Sequence, residues 1–363
     1  MQIETLCLEP GSPGRHHQLQ VWHFGQPDAE PCVYLQAGLH ADESPGSLVL
    51  HRLIACLQHW QDEGRLRGRV IVVPMANPLG LGQWHLGLLQ GRFEARSGQN
   101  FNRHFPLLAE QALTLLAQQE QVSSHQARDA LLAALQQQPG LSELEQLQGR
   151  LFALALQADV ILDLHCDSEA CLHLYANEHN RAQVAELAQH LQVPLVLLAE
   201  EAGGMSFDDA IMQNWLRLRQ HYADLPLPLA VTLELRGQLD TDPAYTEADV
   251  AGLLSYLCQL GVLAGSASAR GQAAHLLPLA GVEALRAPMA GVVSYLQMPG
   301  RWLAAGTPLA WIQCPYSGQR LSLCAPQEGY FYARLSQRSV GRGEELCFIA
   351  SRSPRRQGRL LAL

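Results

Sequence analysis

Four short apolar segments in the first two thirds of the sequence most constrain its fold. They are Cys32–Gln36, Val70–Met75, Asp159–Leu164 and Leu229–Leu235. Each is rich in leucine or β-branched residues and is apolar on both alternating faces, as in central strands that helices cover on both sides. The intervening segments are typical of helices, namely Pro45–Gln61, Ala109–Gln138, Leu141–Leu156, Asn180–Leu191 and Thr246–Leu260. This alternation predicts an α/β domain with a mostly parallel central sheet flanked by helices.

Polar residues stand where these predicted strands end. The first strand leads into His40 and Glu43, the second into Asn77, and the third into His165, while Glu234 lies near the end of the fourth. In open α/β sheets, ligands bind beyond the carboxyl ends of the strands. Strand ends are also polar simply because they meet water, but that explanation fits one or two of these residues better than the whole set. We therefore expect one site at this edge of the sheet.

His40, Glu43 and His165 are the candidate metal ligands. Three protein ligands, with a fourth position left to water, are the pattern of a catalytic zinc ion. Asp163 precedes His165 by two residues, so on a strand both side chains face the same side and Asp163 can orient the imidazole. Cys166 faces the other way and is not counted as a ligand. Taken alone, His165 would be interpreted as a hydrogen-bonded core histidine. Its occurrence together with His40 and Glu43 favours a site for one zinc ion per chain.

The segment 91–106 supplies candidate substrate-binding residues. Asn102 and Arg103 place a carboxamide beside a guanidinium, which suits a substrate carboxylate. An upstream arginine, Arg92 or Arg96, could polarise a carbonyl group and stabilise an oxyanion. The alternative is a solvated loop with surface arginines. The Gly, Asn and aromatic residues around the pair favour a shaped loop.

Glu234 is the candidate general base. It lies inside the apolar segment 229–235, where a carboxylate is costly unless it is paired or functional. Beside a metal-activated water it would accept a proton. The alternative is a glutamate on an edge strand that faces solvent.

Composition narrows the function further. The 363 residues carry a net charge of −9, which disfavours binding to nucleic acid or to an anionic membrane. The sequence contains no lysine, which excludes Schiff-base chemistry, a pyridoxal-phosphate lysine and a Walker A loop. Nine scattered cysteines without a Cys-x-x-Cys pair suggest a reducing compartment. With no recognisable signal peptide or membrane segment, a cytoplasmic protein is expected.

The sequence pattern changes near residue 280, where an internal repeat begins. Segment 287–291 is similar to segment 325–329, and segment 306–312 is similar to segment 343–349. Two similar β-rich halves predict a small pseudo-symmetric sandwich that resembles the lipoyl/biotinyl carrier fold. Because a carrier needs a lysine, we interpret this module as structural or as a wall of the active site, which Tyr295 or Tyr330 could reach. The predicted division is a catalytic domain at 1–280 and a β-rich module at 281–363.

The ordered set of motifs resembles the succinylglutamate desuccinylase/aspartoacylase family of the zinc carboxypeptidase superfamily. The motifs are His40-x-x-Glu43, Asn77-Pro78, Asn102-Arg103, Asp163-x-His165 and Glu234-x-Arg236-Gly237. The resemblance covers most of the chain, and residues 107–150 look like a helical insertion. It implies a zinc-carboxypeptidase-like fold with an appended β-rich module.

The resemblance also implies an activity, hydrolysis of the linear amide of a small N-acyl amino acid. Zinc would be bound by His40, Glu43 and His165, and Glu234 would be the base. Arg92 would polarise the carbonyl group, with Arg96 as its competitor, while Asn102 and Arg103 would bind the substrate carboxylate. The alternatives are a carboxypeptidase acting on short peptides and a non-catalytic binding protein. The acyl group, the amino acid and the choice between monomer and homo-oligomer stay open.

Overall fold

The secondary structure is taken from a computed structural model, which describes residues 1–267, 271–356, 358 and 360. The α-helices are α1 (Pro45–Asp62), α2 (Pro78–Leu81), α3 (Ala109–Leu116), α4 (Ser124–Gln136), α5 (Glu143–Ala155), α6 (Arg181–Leu191), α7 (Phe207–His221) and α8 (Pro243–Gln259). The strands of the large sheet are β1 (Gln2–Cys7), β2 (Gln18–Phe24), β3 (Cys32–Ala37), β4 (Arg69–Val73), β7 (Val160–Asp167), β9 (His173–Asn177), β10 (Leu195–Ala199), β11 (Leu229–Gly237) and β12 (His275–Pro278). The shorter strands β5 (Trp84–His85) and β6 (Leu88–Leu89) form a hairpin, and β8 (Glu169–Ala170) follows β7.

The large sheet has the strand order β1-β2-β4-β3-β7-β11-β9-β10-β12. The four strands predicted from the sequence are its centre, where β4, β3, β7 and β11 lie side by side and run parallel. On either side of this centre the direction reverses, because β2 is antiparallel to β4 and β9 is antiparallel to β11. The sheet is therefore mixed. The expectation of a mostly parallel sheet holds for its centre, while antiparallel pairs border the centre on both sides and β9, β10 and β12 are again parallel to one another.

Apolar layers cover both faces of the sheet, which explains why the central strands are apolar throughout. Along β3, the side chain of Tyr34 belongs to one buried cluster and those of Val33 and Leu35 belong to the other. The second cluster includes the buried faces of α1, α6 and α8, and the first includes those of α3, α4, α5 and α7. This arrangement leaves the carboxyl edge of the central strands as the accessible part.

Four of the five predicted helical segments contain one α-helix each, and no sequence pattern predicted α2 or α7. The predicted helix Ala109–Gln138 is wrong, because α3 ends at Leu116 and α4 begins only at Ser124. The break is set by a capping box in which the Ser123 hydroxyl accepts the Gln126 amide and the Gln126 side chain reaches back to the amide of Ser123. The richness in Leu, Ala and Gln indicated helix correctly but carried no information about this new start.

Helix α8 also starts earlier than predicted, at Pro243 and not at Thr246. The side chain of Asp242 accepts the amide of Ala244, and a proline fits the first helical position because its missing N–H would have no partner there. The predicted helix Asn180–Leu191 corresponds to a short 3₁₀ turn, Glu178–Asn180, followed by α6.

The C-terminal strands form two small sheets. They are β13 (Val282–Arg286), β14 (Gly291–Tyr295), β15 (Arg301–Leu303), β16 (Pro308–Gln313), β17 (Arg320–Cys324), β18 (Gly329–Arg334), β19 (Ser339–Val340) and β20 (Glu345–Ala350). One sheet has the order β13-β20-β18-β15 and the other the order β17-β16-β14-β19. The change from the large sheet to these sheets falls at Leu279–Gly281, beside the predicted boundary. The division into two domains and the likeness to the carrier fold stay predictions, and residues 357, 359 and 361–363 lie outside the described part.

Strand β8 joins the C-terminal sheets to the large sheet, since it pairs with β18. The Glu169 carboxylate on β8 accepts hydrogen bonds from Arg334 and Arg338, each at 2.6 Å. The C-terminal strands are thus held next to the carboxyl end of β7. Among the described residues, no helix is long and apolar enough to cross a membrane.

Candidate active site

The parallel centre of the sheet brings the predicted residues together. His40 and Glu43 lie in the loop between β3 and α1, and His165 lies on β7, which is the neighbour of β3. Glu234 on β11 is the register partner of His165. Because the carboxyl ends of parallel strands meet at the same edge, residues separated by more than a hundred positions share one site.

Glu43 is the centre of a buried cluster. One of its oxygens, Oε1, lies 2.9 Å from His40 Nδ1, and the other, Oε2, lies 2.9 Å from His165 Nδ1. The backbone N–H of Cys166 donates to Oε2 at 3.0 Å, so Cys166 contributes its amide to the site while its thiol is outside the cluster. One ligand atom from each of His40, Glu43 and His165 lies within 4.8 Å of the other two. The three residues could therefore hold a metal ion.

The other nitrogen of each imidazole has its own partner. His165 Nε2 lies 2.9 Å from Asp163 Oδ2, which is the contact predicted from their spacing. Asp163 is itself held by Gln36, whose amide donates to Oδ1 at 2.9 Å. His40 Nε2 lies 2.8 Å from Asn100 Oδ1. The role of Asn100 was missed, because nothing in the sequence pattern distinguishes it from the other polar residues of its loop.

These contacts fix which nitrogen faces the cluster centre. The oxygens of Asn100 and Asp163 can only accept, so Nε2 of each ring carries a proton and Nδ1 of a neutral ring presents a lone pair. Two lone pairs that face a carboxylate repel it unless a cation or extra protons lie between them. The donor set of two imidazoles and one carboxylate fits a divalent ion of the zinc type.

The electrostatics of the cluster differ between its two imidazoles. Burial lowers the pKa of His40. Burial acts in the same direction on His165, but the carboxylates of Asp163 and Glu43 outweigh it and raise the pKa of His165 well above its usual value. Burial would raise the pKa of Glu43, but the two histidines hold it below its usual value, so this carboxylate stays ionised.

Glu234 faces the same cavity as the cluster. Its strand is in the interior of the sheet, so the alternative of an edge-strand glutamate is wrong. The side chain is half-buried, and its Oε2 has no hydrogen-bond partner among the described residues. Burial, together with the negative charge of Glu43, raises the pKa of Glu234 well above its usual value. A carboxylate with these properties is suited to accept a proton.

The two candidate arginines lie in different places. Arg92 lines the cavity, and its guanidinium lies 3.4 Å from Glu43 Oε1. Arg96 is exposed and lines a separate surface depression with Trp84 and Glu145. The structure therefore brings Arg92, and not Arg96, to the cluster.

Asn102 and Arg103 also line the cavity. Asn102 Nδ2 lies 3.4 Å from His165 Nε2, and Asn102 Oδ1 accepts the backbone N–H of Phe207 at 2.8 Å. The carboxamide oxygen is thus occupied by the start of α7, which leaves the NH₂ group facing the site. One guanidinium nitrogen of Arg103 donates to the carbonyl of Asn102 at 2.7 Å.

The cavity has a volume of about 270 Å³, just below the usual range of about 300–1,000 Å³ for small-molecule sites. Its far wall comes from the C-terminal strands, through Tyr332 and Phe348. The other candidates from that region are wrong, because the Tyr295 hydroxyl donates to the Leu346 carbonyl and Tyr330 packs on His275 and Trp302. No periodicity in the sequence could show which aromatic residue of a separate sheet reaches the cavity.

A comparison with protein families decides the affiliation. The model of the succinylglutamate desuccinylase/aspartoacylase catalytic domain matches residues 29–139 and 133–260, which together are more than half of the chain. The chain belongs to the succinylglutamate desuccinylase/aspartoacylase family. This confirms the family that the ordered motifs predicted. Members of the succinylglutamate desuccinylase/aspartoacylase family are deacylases, a class of hydrolase.

Solved structures extend the likeness beyond the matched residues. A proposed succinylglutamate desuccinylase/aspartoacylase from Shewanella frigidimarina NCIMB 400 has a TM-score of 0.84 and 26% identity, over 96% of this chain and 97% of that chain. A family protein from Shewanella amazonensis SB2B has a TM-score of 0.83 and 27% identity, over 97% and 99% of the two chains. A comparison with curated proteins gave no match. The succinylglutamate desuccinylase/aspartoacylase fold is therefore shared over nearly the whole chain.

Proposed function

We propose that the chain is a zinc-dependent hydrolase that cleaves the linear amide bond of a small N-acyl amino acid. One observation carries the proposal. Two imidazoles and a carboxylate converge on one point in the wall of a small cavity, and Glu234 and Arg92 line that same cavity. Membership of a deacylase family supports the reaction class.

His40 Nδ1, Glu43 and His165 Nδ1 would hold one zinc ion per chain. When bound, the ion supplies a Lewis acid and lowers the pKa of a water molecule toward about 7. The fit rests on the donor set, in which the backbone amide of Cys166 and the partners of both Nε2 atoms hold the three ligands in place.

Glu234 would take a proton from the attacking water and pass it to the leaving amine. Its oxygen without a partner and the raised pKa both suit a group that is protonated and deprotonated within one turnover. General-base catalysis of this type contributes about 10²–10⁴ in rate.

Arg92 would stabilise the negative charge that develops on the carbonyl oxygen of the substrate. Arg103 and the NH₂ group of Asn102 would hold the substrate carboxylate, since the oxygen of Asn102 is already bound to Phe207. The cavity volume and the wall formed by Tyr332 and Phe348 favour a small acylated amino acid over a peptide.

Metal analysis and one substitution test the proposal. We expect about one zinc per chain in the purified protein, and Glu234→Gln should keep the metal while it lowers kcat at least about 100-fold. Glu247→Gln, a surface glutamate paired with Arg52, is the matched control and should be unaffected. Absence of bound zinc would favour a non-catalytic binding protein.

A panel of substrates distinguishes the proposed amide hydrolase from a carboxypeptidase. N-acyl amino acids and short peptides would be compared at equal concentration with the zinc-loaded protein. Faster release of C-terminal residues from peptides than of acyl groups from amino acids would favour a carboxypeptidase and would contradict the proposed substrate.

A further inference from the structure

The two imidazoles of the cluster have unlike outer partners, because His165 is held by the carboxylate of Asp163 and His40 by the neutral carboxamide of Asn100. We propose that Asn100 is a positioning residue that fixes His40 for metal binding and, by being neutral, makes His40 the weaker of the two imidazole donors. The inference rests on the proposed metal site and assigns a role in it to a residue outside the ligand set.

The orientation of the Asn100 carboxamide follows from its surroundings. Asn100 is 5% exposed, and its Oδ1 accepts both His40 Nε2 at 2.8 Å and the backbone N–H of Asn102 at 2.9 Å. A backbone N–H can only donate, so the atom that faces it must be the oxygen. His40 Nε2 must then carry a proton, which leaves the Nδ1 lone pair directed at Glu43.

The NH₂ group of Asn100, in contrast to its oxygen, takes part in none of these hydrogen bonds. Its Nδ2 is buried and has no hydrogen-bond partner within the described part of the chain. Asp163 differs in this respect, because both of its oxygens accept hydrogen bonds, one from Gln36 and one from His165. The geometry at position 100 uses one oxygen only, so what distinguishes asparagine from aspartate here is the absence of charge.

A neutral partner has a chemical consequence. A carboxylate that accepts the Nε2 proton makes the opposite nitrogen more basic and a stronger metal ligand than a carboxamide does. The site already contains Glu43, Asp163 and Glu234. Another carboxylate beside His40 would tighten the hold on the ion and reduce its positive charge, whereas Asn100 keeps the ring oriented without that effect.

The test measures zinc affinity on the full chain by competition with a chromophoric chelator. Asn100→Asp should bind zinc about tenfold more tightly than the wild type, and Asn100→Ala should bind it about 10–100-fold more weakly, because the ring loses its orientation. Asn180→Asp, which also changes a buried carboxamide to a carboxylate but lies at the start of α6, is the control and should leave the affinity unchanged.

Thermal melting of the zinc-free proteins accompanies these measurements. If Asn100→Asp melts like the wild type but binds zinc equally or more weakly, the proposed effect of charge is wrong. If Asn100→Asp does not fold, Asn100→Ala decides, and an unchanged affinity in that variant overturns the positioning role. Wild-type protein that binds no zinc would refute the proposed function itself, whereas zinc bound equally by wild type and variants would refute only the role of Asn100.

Discussion

Gly46 offers a direct test of how the packing of α1 holds the metal cluster. It is the second residue of α1, three positions after Glu43, and the helix approaches β3 and β7 closely at this point. A Cβ atom at position 46 would lie 2.9 Å from Ala37 Cβ, 3.0 Å from Leu164 Cβ and 3.2 Å from the Leu164 carbonyl oxygen. Neither Cβ atom can rotate away, because each is bonded directly to the backbone of a central strand.

We therefore expect Gly46→Ala to push the start of α1 away from the sheet. Overpacking of this kind lowers the free energy of unfolding by about 1–3 kcal/mol. The displacement should also move Glu43 relative to His165, so zinc affinity should fall with stability. Denaturant unfolding without zinc gives the first quantity, and chelator competition gives the second.

The chain contains a matched control. Gly149 lies inside α5, and a Cβ there would have nothing within 4 Å. Gly149→Ala should stabilise the protein by about 0.5–1 kcal/mol through helix propensity alone, with no effect on zinc. If Gly46→Ala behaves like Gly149→Ala, the reasoning about close packing at the cluster is refuted.

Two further predictions follow from the site. Arg92→Leu should lower kcat/KM by about 10²–10³ without loss of zinc, whereas Arg96→Leu should be near the wild type; equal losses in steady-state assays would contradict the assignment of the carbonyl-polarising role to Arg92. Asp208 lines the cavity, and burial raises the pKa of its carboxyl group from 3.8 to about 6. Between these values the unfolded chain loses the proton first, so this group makes stability fall as pH rises from 3.8 to about 6. Asp208→Asn should flatten that part of the stability–pH profile, and an unchanged slope in denaturant titrations would show that Asp208 does not cause it.

The central strands could be predicted because their signal is local. A segment such as Leu229–Gly237 is apolar on both faces, and only a strand covered on both sides accommodates that pattern. The flanking strands β1 and β2 alternate between exposed and more buried residues, and β9 begins and ends with a polar residue, so they gave no comparable signal. Strand β10 is apolar and as long as β4, and it was missed. The reversed direction of β2, β9 and β10 relative to the centre depends on how the chain returns to the sheet.

The sequence alone determined the centre of the sheet, the family and the residues His40, Glu43 and His165 as one group. The apolar pattern of each strand, and the polar residues that follow directly at its carboxyl end, are local features that can be recognised in the sequence. Only the tertiary structure decided that Arg92 and not Arg96 reaches the cluster, that Asn100 holds His40, and that Tyr332 and Phe348 close the cavity. These contacts join loops and separate sheets, and their geometry depends on packing between segments that no local pattern specifies.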